Sequence, residues 1–174
     1  LFDQSVSRAD LAKLFHRDLA PAGRSPEVQF ADSLSPDANA SSTGASDLFV
    51  AAWDSDGLLE AWSSGGGSDQ NASAVNGLAA GLDGELYATG EFSQALNWNS
   101  LTVAGATQYE NAFFARLNEN LHPVWLKTFT GEGGSGGQAV TVDLNASPHF
   151  VGYFRDTVQI DEGDLNTTGG TDAF

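Results

Sequence analysis

ELYATGEF (85–92) and SPHFVGYF (147–154) superpose with a shift of 62 residues, and that superposition decides the fold. The same shift lays GLAAGLDG (77–84) over AVTVDLNA (139–146). DLFVAAWD (47–54) matches NAFFARLN (111–118) at a shift of 64, and DAF (172–174) follows 61 residues later. Trp62 and Trp125 match at 63, and the short openers VQF, LNW and VQI recur at Val28, Leu96 and Val158. Landmarks returning in one order at one period mark a repeat architecture. We expect a first copy over 28–94, a second over 95–157 and the start of a third over 158–174, with residues 1–27 outside the repeat.

Within each copy the pattern is strand, turn, strand. Phe49, Ala51 and Trp53 alternate with their neighbours at the period of a strand. Asp54-Ser55-Asp56-Gly57 is a turn signal, with Asn118-Glu119-Asn120 in its place in the second copy. LLEAW and PVWLKTF follow, each with a tryptophan, then a glycine-rich gap, a second hairpin and a strand ending in Gly-x-Phe. Four principal strands and a short extra ribbon per copy predict an all-β fold of β-propeller blades. Before the repeat, SVSRADLAKLFHRDLAP predicts a short helix from about Ser7 to Leu19, capped by Ser7 and stopped by Pro21. The alternative there is a strand-and-loop remnant of a preceding blade.

DLFVAAWDSDGLLEAW, a glycine-rich gap and GLAAGLDGELYATGEF together resemble the bacterial seven-bladed β-propeller (SBBP) repeat family. DAF at Asp172, NAFFARL and VGYF fit the family's pattern closely, over roughly 28–174. Trp53, where the family usually has Leu, and Pro148-His149, in place of an apolar pair, depart from it. The resemblance implies a bacterial, secreted or surface-displayed propeller.

Composition narrows the function. The chain has 23 acidic residues against 7 basic ones, a net charge of −16, so a nucleic acid or an anionic membrane would be repelled. It has no cysteine for disulfides or thiolate metal sites, and no apolar run long enough to span a membrane as a helix. Methionine is absent too, so we expect the chain to start inside a longer reading frame, as a processed form or a fragment.

Thr128–Val142 contains Gly131, Gly133 and Gly136 in a G-x-G-x-x-G arrangement. A phosphate loop needs a helix directly afterwards to supply N–H donors, whereas QAVTVDL reads as a strand. The other copy has SSGGGSDQNASA at the same place, so the gap is scaffold. Asp54, Asp56 and Glu60 are spaced as in an oxygen-ligand calcium loop, with Asp54 and Asp56 the candidate ligands, but no twelfth-position glutamate follows and a hairpin turn explains them better. His16, His122 and His149 form no metal-ligand spacing, and no Gly-x-Ser-x-Gly elbow is present.

Trp62 and Trp125 are expected to pack between blades. Trp98 and Tyr109, on the short ribbon, are the candidates for stacking on a glycan. Asn39, Asn71 and Asn166 head Asn-x-Ser/Thr sequons, and Pro148 spoils the one at Asn145. The resemblance implies a non-enzymatic extracellular or cell-surface segment with a structural, adhesive or binding role, while the residues themselves show repetition, an acidic composition and no catalytic constellation. Such a segment would be completed by a protein partner or by remaining blades, with no cofactor beyond a candidate calcium ion. The alternative is part of a propeller enzyme acting on extracellular polysaccharide.

Overall fold

The computed structural model describes residues 42 and 44–174 apart from 69, 82, 83, 107 and 162, so the helix expected over Ser7 to Leu19 lies outside the described residues. The described part is all-β. Eleven strands run in the order β1 (Leu48–Trp53), β2 (Leu59–Gly66), β3 (Ser73–Ala80), β4 (Leu86–Ser93), β5 (Ala95–Trp98), β6 (Leu101–Ala104), β7 (Glu110–Leu117), β8 (Pro123–Gly131), β9 (Ser135–Val142), β10 (Pro148–Ile160) and β11 (Gly163–Ala173). They form a four-stranded sheet, β1-β2-β5-β6, and a longer path, β11-β10-β8-β7-β4-β3, with β9 on β10. The longer path curls until β9 lies against β3 and β4, leaving a nearly closed, barrel-like arrangement.

The period read from the sequence recurs in the hydrogen-bond register. Ala95↔Ala104, Leu96↔Val103, Asn97↔Thr102 and Trp98↔Leu101 in one hairpin return, 62 residues on, as Thr157↔Asn166, Val158↔Leu165, Gln159↔Asp164 and Ile160↔Gly163. The β1–β2 ladder returns as β7–β8 at a shift of 64, with the bulge at Ala52/Trp53 reappearing at Arg116/Leu117. Left-handed backbone recurs as well: Gly57 and Leu121 at 81° and 61°, Gly84 and Ala146 at 77° and 62°, Gln94 and Asp156 at 60° and 54°. Turns and bulges are set by backbone geometry, so the second copy keeps the conformation even where it has lost the glycine.

One landmark is corrected by the register. Trp62 stands opposite Ala51, whereas Trp125 stands opposite Arg116, the counterpart of Ala52. The two tryptophans are therefore one rung apart, and a one-residue offset in a strand reverses the face. Trp125 packs on Tyr87, with ring centroids 6.2 Å apart.

Strands β3, β4, β7 and β8 make one antiparallel meander in chain order. The hairpin β5–β6, inserted between β4 and β7, does not join that meander. It reaches back to β2 through Gly65↔Trp98 and Gly66↔Asn97. The second hairpin, made from the end of β10 and the start of β11, reaches back to β8 through Gly131↔Val158. A core of Leu48, Val50, Phe92, Leu96, Trp98 and Phe113 fills the space between the successive sheets.

Candidate functional site

The glycine-rich stretch leads into a strand. β8 ends at Gly131, and β9 starts at Ser135 and runs through Gly136 and Gly137. No helix N-terminus is available there to bind phosphate. The glycines serve close packing rather than slack. A Cβ on Gly133 would fall 1.9 Å from the Arg155 carbonyl, one on Gly136 2.6 Å from the Tyr153 ring, and one on Gly137 1.9 Å from Thr89 Oγ1.

Asp54 works as a turn former. Its Oδ1 accepts the backbone N–H groups of Asp56 and Leu58 at 2.9 and 2.8 Å. Asn118 does the same for Asn120 and His122, and Asp143 for Asn145 and Ser147. A neutral Asn fills the role as well as a carboxylate, so this geometry asks for an acceptor and no charge. Asp56 is exposed and contributes its backbone N–H to that turn. Among the described residues no group of three or more His, Asp or Glu is placed to hold a metal ion.

Trp98, a candidate for stacking on a glycan, is fully buried. Its Nε1–H donates to Ser63 Oγ at 2.6 Å and its ring meets Phe113 edge-on at 6.0 Å. The ribbon carrying it folds back onto β2, which is why an outer strand buries its largest side chain. A sugar cannot stack on it in this arrangement. Tyr109 is 47% exposed, so the structure leaves one exposed aromatic of the expected pair.

Two polar clusters were not singled out from the sequence. Arg116 pairs with Glu85, which also accepts from Tyr87 Oη at 2.7 Å, beside Trp125. Tyr153 Oη lies 3.5 Å from both Glu91 and Glu110. Burial, followed by the charges of Glu91 and Glu110, raises the Tyr153 phenol above its ordinary value. Asp143 is lowered, first by the Ser147 backbone N–H and then by His149, which approaches to 3.3 Å. Strand residues of mixed polarity carry no spacing signal, so these clusters could be found only from the fold.

A buried serine pair matters more for assembly. Ser73 Oγ accepts the Leu48 N–H at 3.1 Å and donates to the Gly65 carbonyl at 3.2 Å. Ser135 Oγ accepts the Ala112 N–H at 2.9 Å and donates to the Phe129 carbonyl at 2.8 Å. The serines recur at a shift of 62 and both their partners at 64. The first serine of each incoming sheet thus pins the two strands preceding it. The two serines share the 62-residue shift, which is the signal that could have revealed them.

A shallow depression lined by Asp47, Ser64, Gly65, Gly66 and Asn97 opens beside this joint. No protein-family model matches the chain, and no curated protein is similar to it.

Proposed function

We propose that this chain is a piece of repeat scaffold of the β-propeller kind, resembling SBBP repeats, with a structural, adhesive or binding role outside the cell or on its surface. The observation that carries this reading is the recurrence of ladder register, left-handed turns and serine pins at shifts of 62 and 64 residues. A four-stranded meander whose hairpin grips its predecessor suits blades set side by side. Its partners in this reading are further blades or another protein. Polar side chains that recur here serve turns and inter-sheet pins, the pattern of a scaffold.

Inserting an extra copy of residues 95–157 directly after residue 157 tests the proposal. A repeat scaffold is expected to accept the added unit, with β-sheet circular dichroism growing in proportion and cooperative unfolding at an equal or higher temperature. Loss of cooperative unfolding would refute it. Incubation with soluble polysaccharides is expected to release no reducing ends. Release would favour the enzyme alternative.

A further inference from the structure

The chain contains four Asn-x-Ser/Thr tripeptides, headed by Asn39, Asn71, Asn145 and Asn166. Each has an aspartate two residues before the asparagine: Asp37, Asp69, Asp143 and Asp164. With 23 acidic residues in 174, an acid stands at any given place about one time in eight, so the aspartate is enriched there even with Asp143 set aside as a turn former. An Asp-x-Asn-x-Ser/Thr string is the acceptor that an oligosaccharyl transferase with a cationic subsite before the asparagine would read. We propose that Asn166 is an N-glycan acceptor in the folded protein, recognised together with Asp164 and Thr168, and that Asn71 and Asn145 are not. This inference is independent of the scaffold reading.

The structure separates the candidates. Asn71 is only 5% exposed, and its Nδ2 packs so closely on Gly67 that a Cβ there would lie 2.5 Å away. Its carbonyl also accepts the Ala45 N–H at 2.8 Å. Asn145 sits in a turn whose Asp143 carboxylate is committed to the N–H groups of Asn145 and Ser147 and to His149, and Pro148 follows directly. For that tripeptide the aspartate has a structural explanation.

Asp164 has no such duty, because it lies in a strand. Gln159 stands opposite it, as Thr157 stands opposite Asn166. β11 is the terminal strand of its sheet, so its outer edge is open among the described residues. Side chains two apart share one face of a strand. Asp164, Asn166 and Thr168 are all exposed, while Leu165 and Thr167 between them are half-buried. Asp164 and Asn166 therefore share one face of the ladder, and Thr168 follows, exposed, where β11 leaves register with β10 before Thr171. Thr157 Oγ1 donates to Asn166 Oδ1 at 2.7 Å, which occupies the amide oxygen and leaves the nitrogen as the reacting atom. In the transfer, Asn166 Nδ2 would form a bond to C1 of the first sugar of a polyprenyl-diphosphate oligosaccharide. The C1–O bond to diphosphate breaks, the lipid diphosphate leaves with the electron pair, and the amide nitrogen loses one proton.

The test is to treat the folded chain with an acid-requiring oligosaccharyl transferase and a polyprenyl-diphosphate oligosaccharide, then measure intact mass and map peptides. Asn39, outside the described residues, is changed to Gln in every sample. One adduct is expected, on Asn166, and none in Asn166→Gln or Thr168→Ala, each checked for folding by its melt. Asp164→Asn should lose most of the rate. Chain unfolded in urea and diluted into the reaction should gain a second adduct at Asn71. No adduct on the folded chain, an adduct at Asn71 before unfolding, or persistence in Asn166→Gln would overturn the proposal. An unchanged rate in Asp164→Asn would overturn the part assigned to the acid.

Discussion

Adding a single methyl at Gly137 should loosen the joint between successive sheets. The new Cβ would lie 1.9 Å from Thr89 Oγ1, more than 1 Å inside any tolerated contact, and 3.1 Å from the backbone N and O of Gly90. Thr89 cannot simply step aside. Its side chain is fully buried, and its hydroxyl donates to the Phe113 carbonyl at 2.9 Å. Rotating it breaks that bond in a dry place, at about 1–3 kcal/mol. Lifting β9 instead opens the packing, at a similar cost of about 1–3 kcal/mol. Replacing Gly by Ala also stiffens the unfolded chain, which returns about 0.4–1 kcal/mol. The expected net loss is about 1–1.5 kcal/mol, or roughly 2–6 °C in Tm for a chain of this size. Gly134→Ala is the control, because its Cβ would find nothing nearer than Tyr109 Cβ at 3.7 Å. It should stay within about 0.5 kcal/mol of the parent. Urea and thermal unfolding followed by tryptophan fluorescence measure both variants. Thr89→Ala removes the obstructing oxygen, so the double variant should be more stable than the sum of the single losses by about 1 kcal/mol. Equal stability of the two glycine variants, or strict additivity in the double variant, would refute the steric argument.

Ala146 holds a left-handed φ of 62° where the first copy has Gly84, so Ala146→Gly should raise stability by about 0.5–1 kcal/mol in a urea titration. Trp98→Phe strands the Ser63 hydroxyl and shrinks a fully buried ring, and should cost about 2–3 kcal/mol, partly recovered by adding Ser63→Ala. Asp143 is depressed below its ordinary 3.8, so its turn contribution is present above that value and is lost as pH falls through the lower folded one. The Ser147 amide resonance should titrate below the usual aspartate range, whereas Asp143→Asn should keep the turn, as Asn118 does, and show no such titration.

The repeat was legible because glycine, aromatic and turn residues return at fixed spacing, and the ladders return with them. Which rung a residue occupies was not legible. Trp62 and Trp125 look equivalent in the sequence at a shift of 63, but the two ladders superpose at 64, bulge included, so Trp125 takes the place of Ala61 and the tryptophans stand one rung apart. The burial of Trp98 is not legible for a related reason. A four-residue strand with polar neighbours looks external until its hydrogen bonds are traced to β2, a strand of the preceding sheet. Asp54 was legible as a turn former, since Asp-Gly hairpin chemistry is local. Ser73 and Ser135 escaped notice because serine is usually a loop residue, and only the fold shows them pinning two strands each.

The backward-reaching hairpins overlap their neighbours like roof tiles. The covalent repeat and the cooperative unit are consequently out of phase. Strands β1 and β2 exchange protection with β5 and β6, while β4, covalently joined to β5, belongs to the next sheet. The change of allegiance falls at the left-handed residues Gln94 and Asp156. Amide exchange should therefore step at these two bends, dividing one continuous chain path between two neighbouring foldons. Separating one sheet from the next would have to break the backbone pairs Gly65↔Trp98 and Gly66↔Asn97, or Gly131↔Val158 and Thr130↔Gln159, a tie that a merely packed interface lacks.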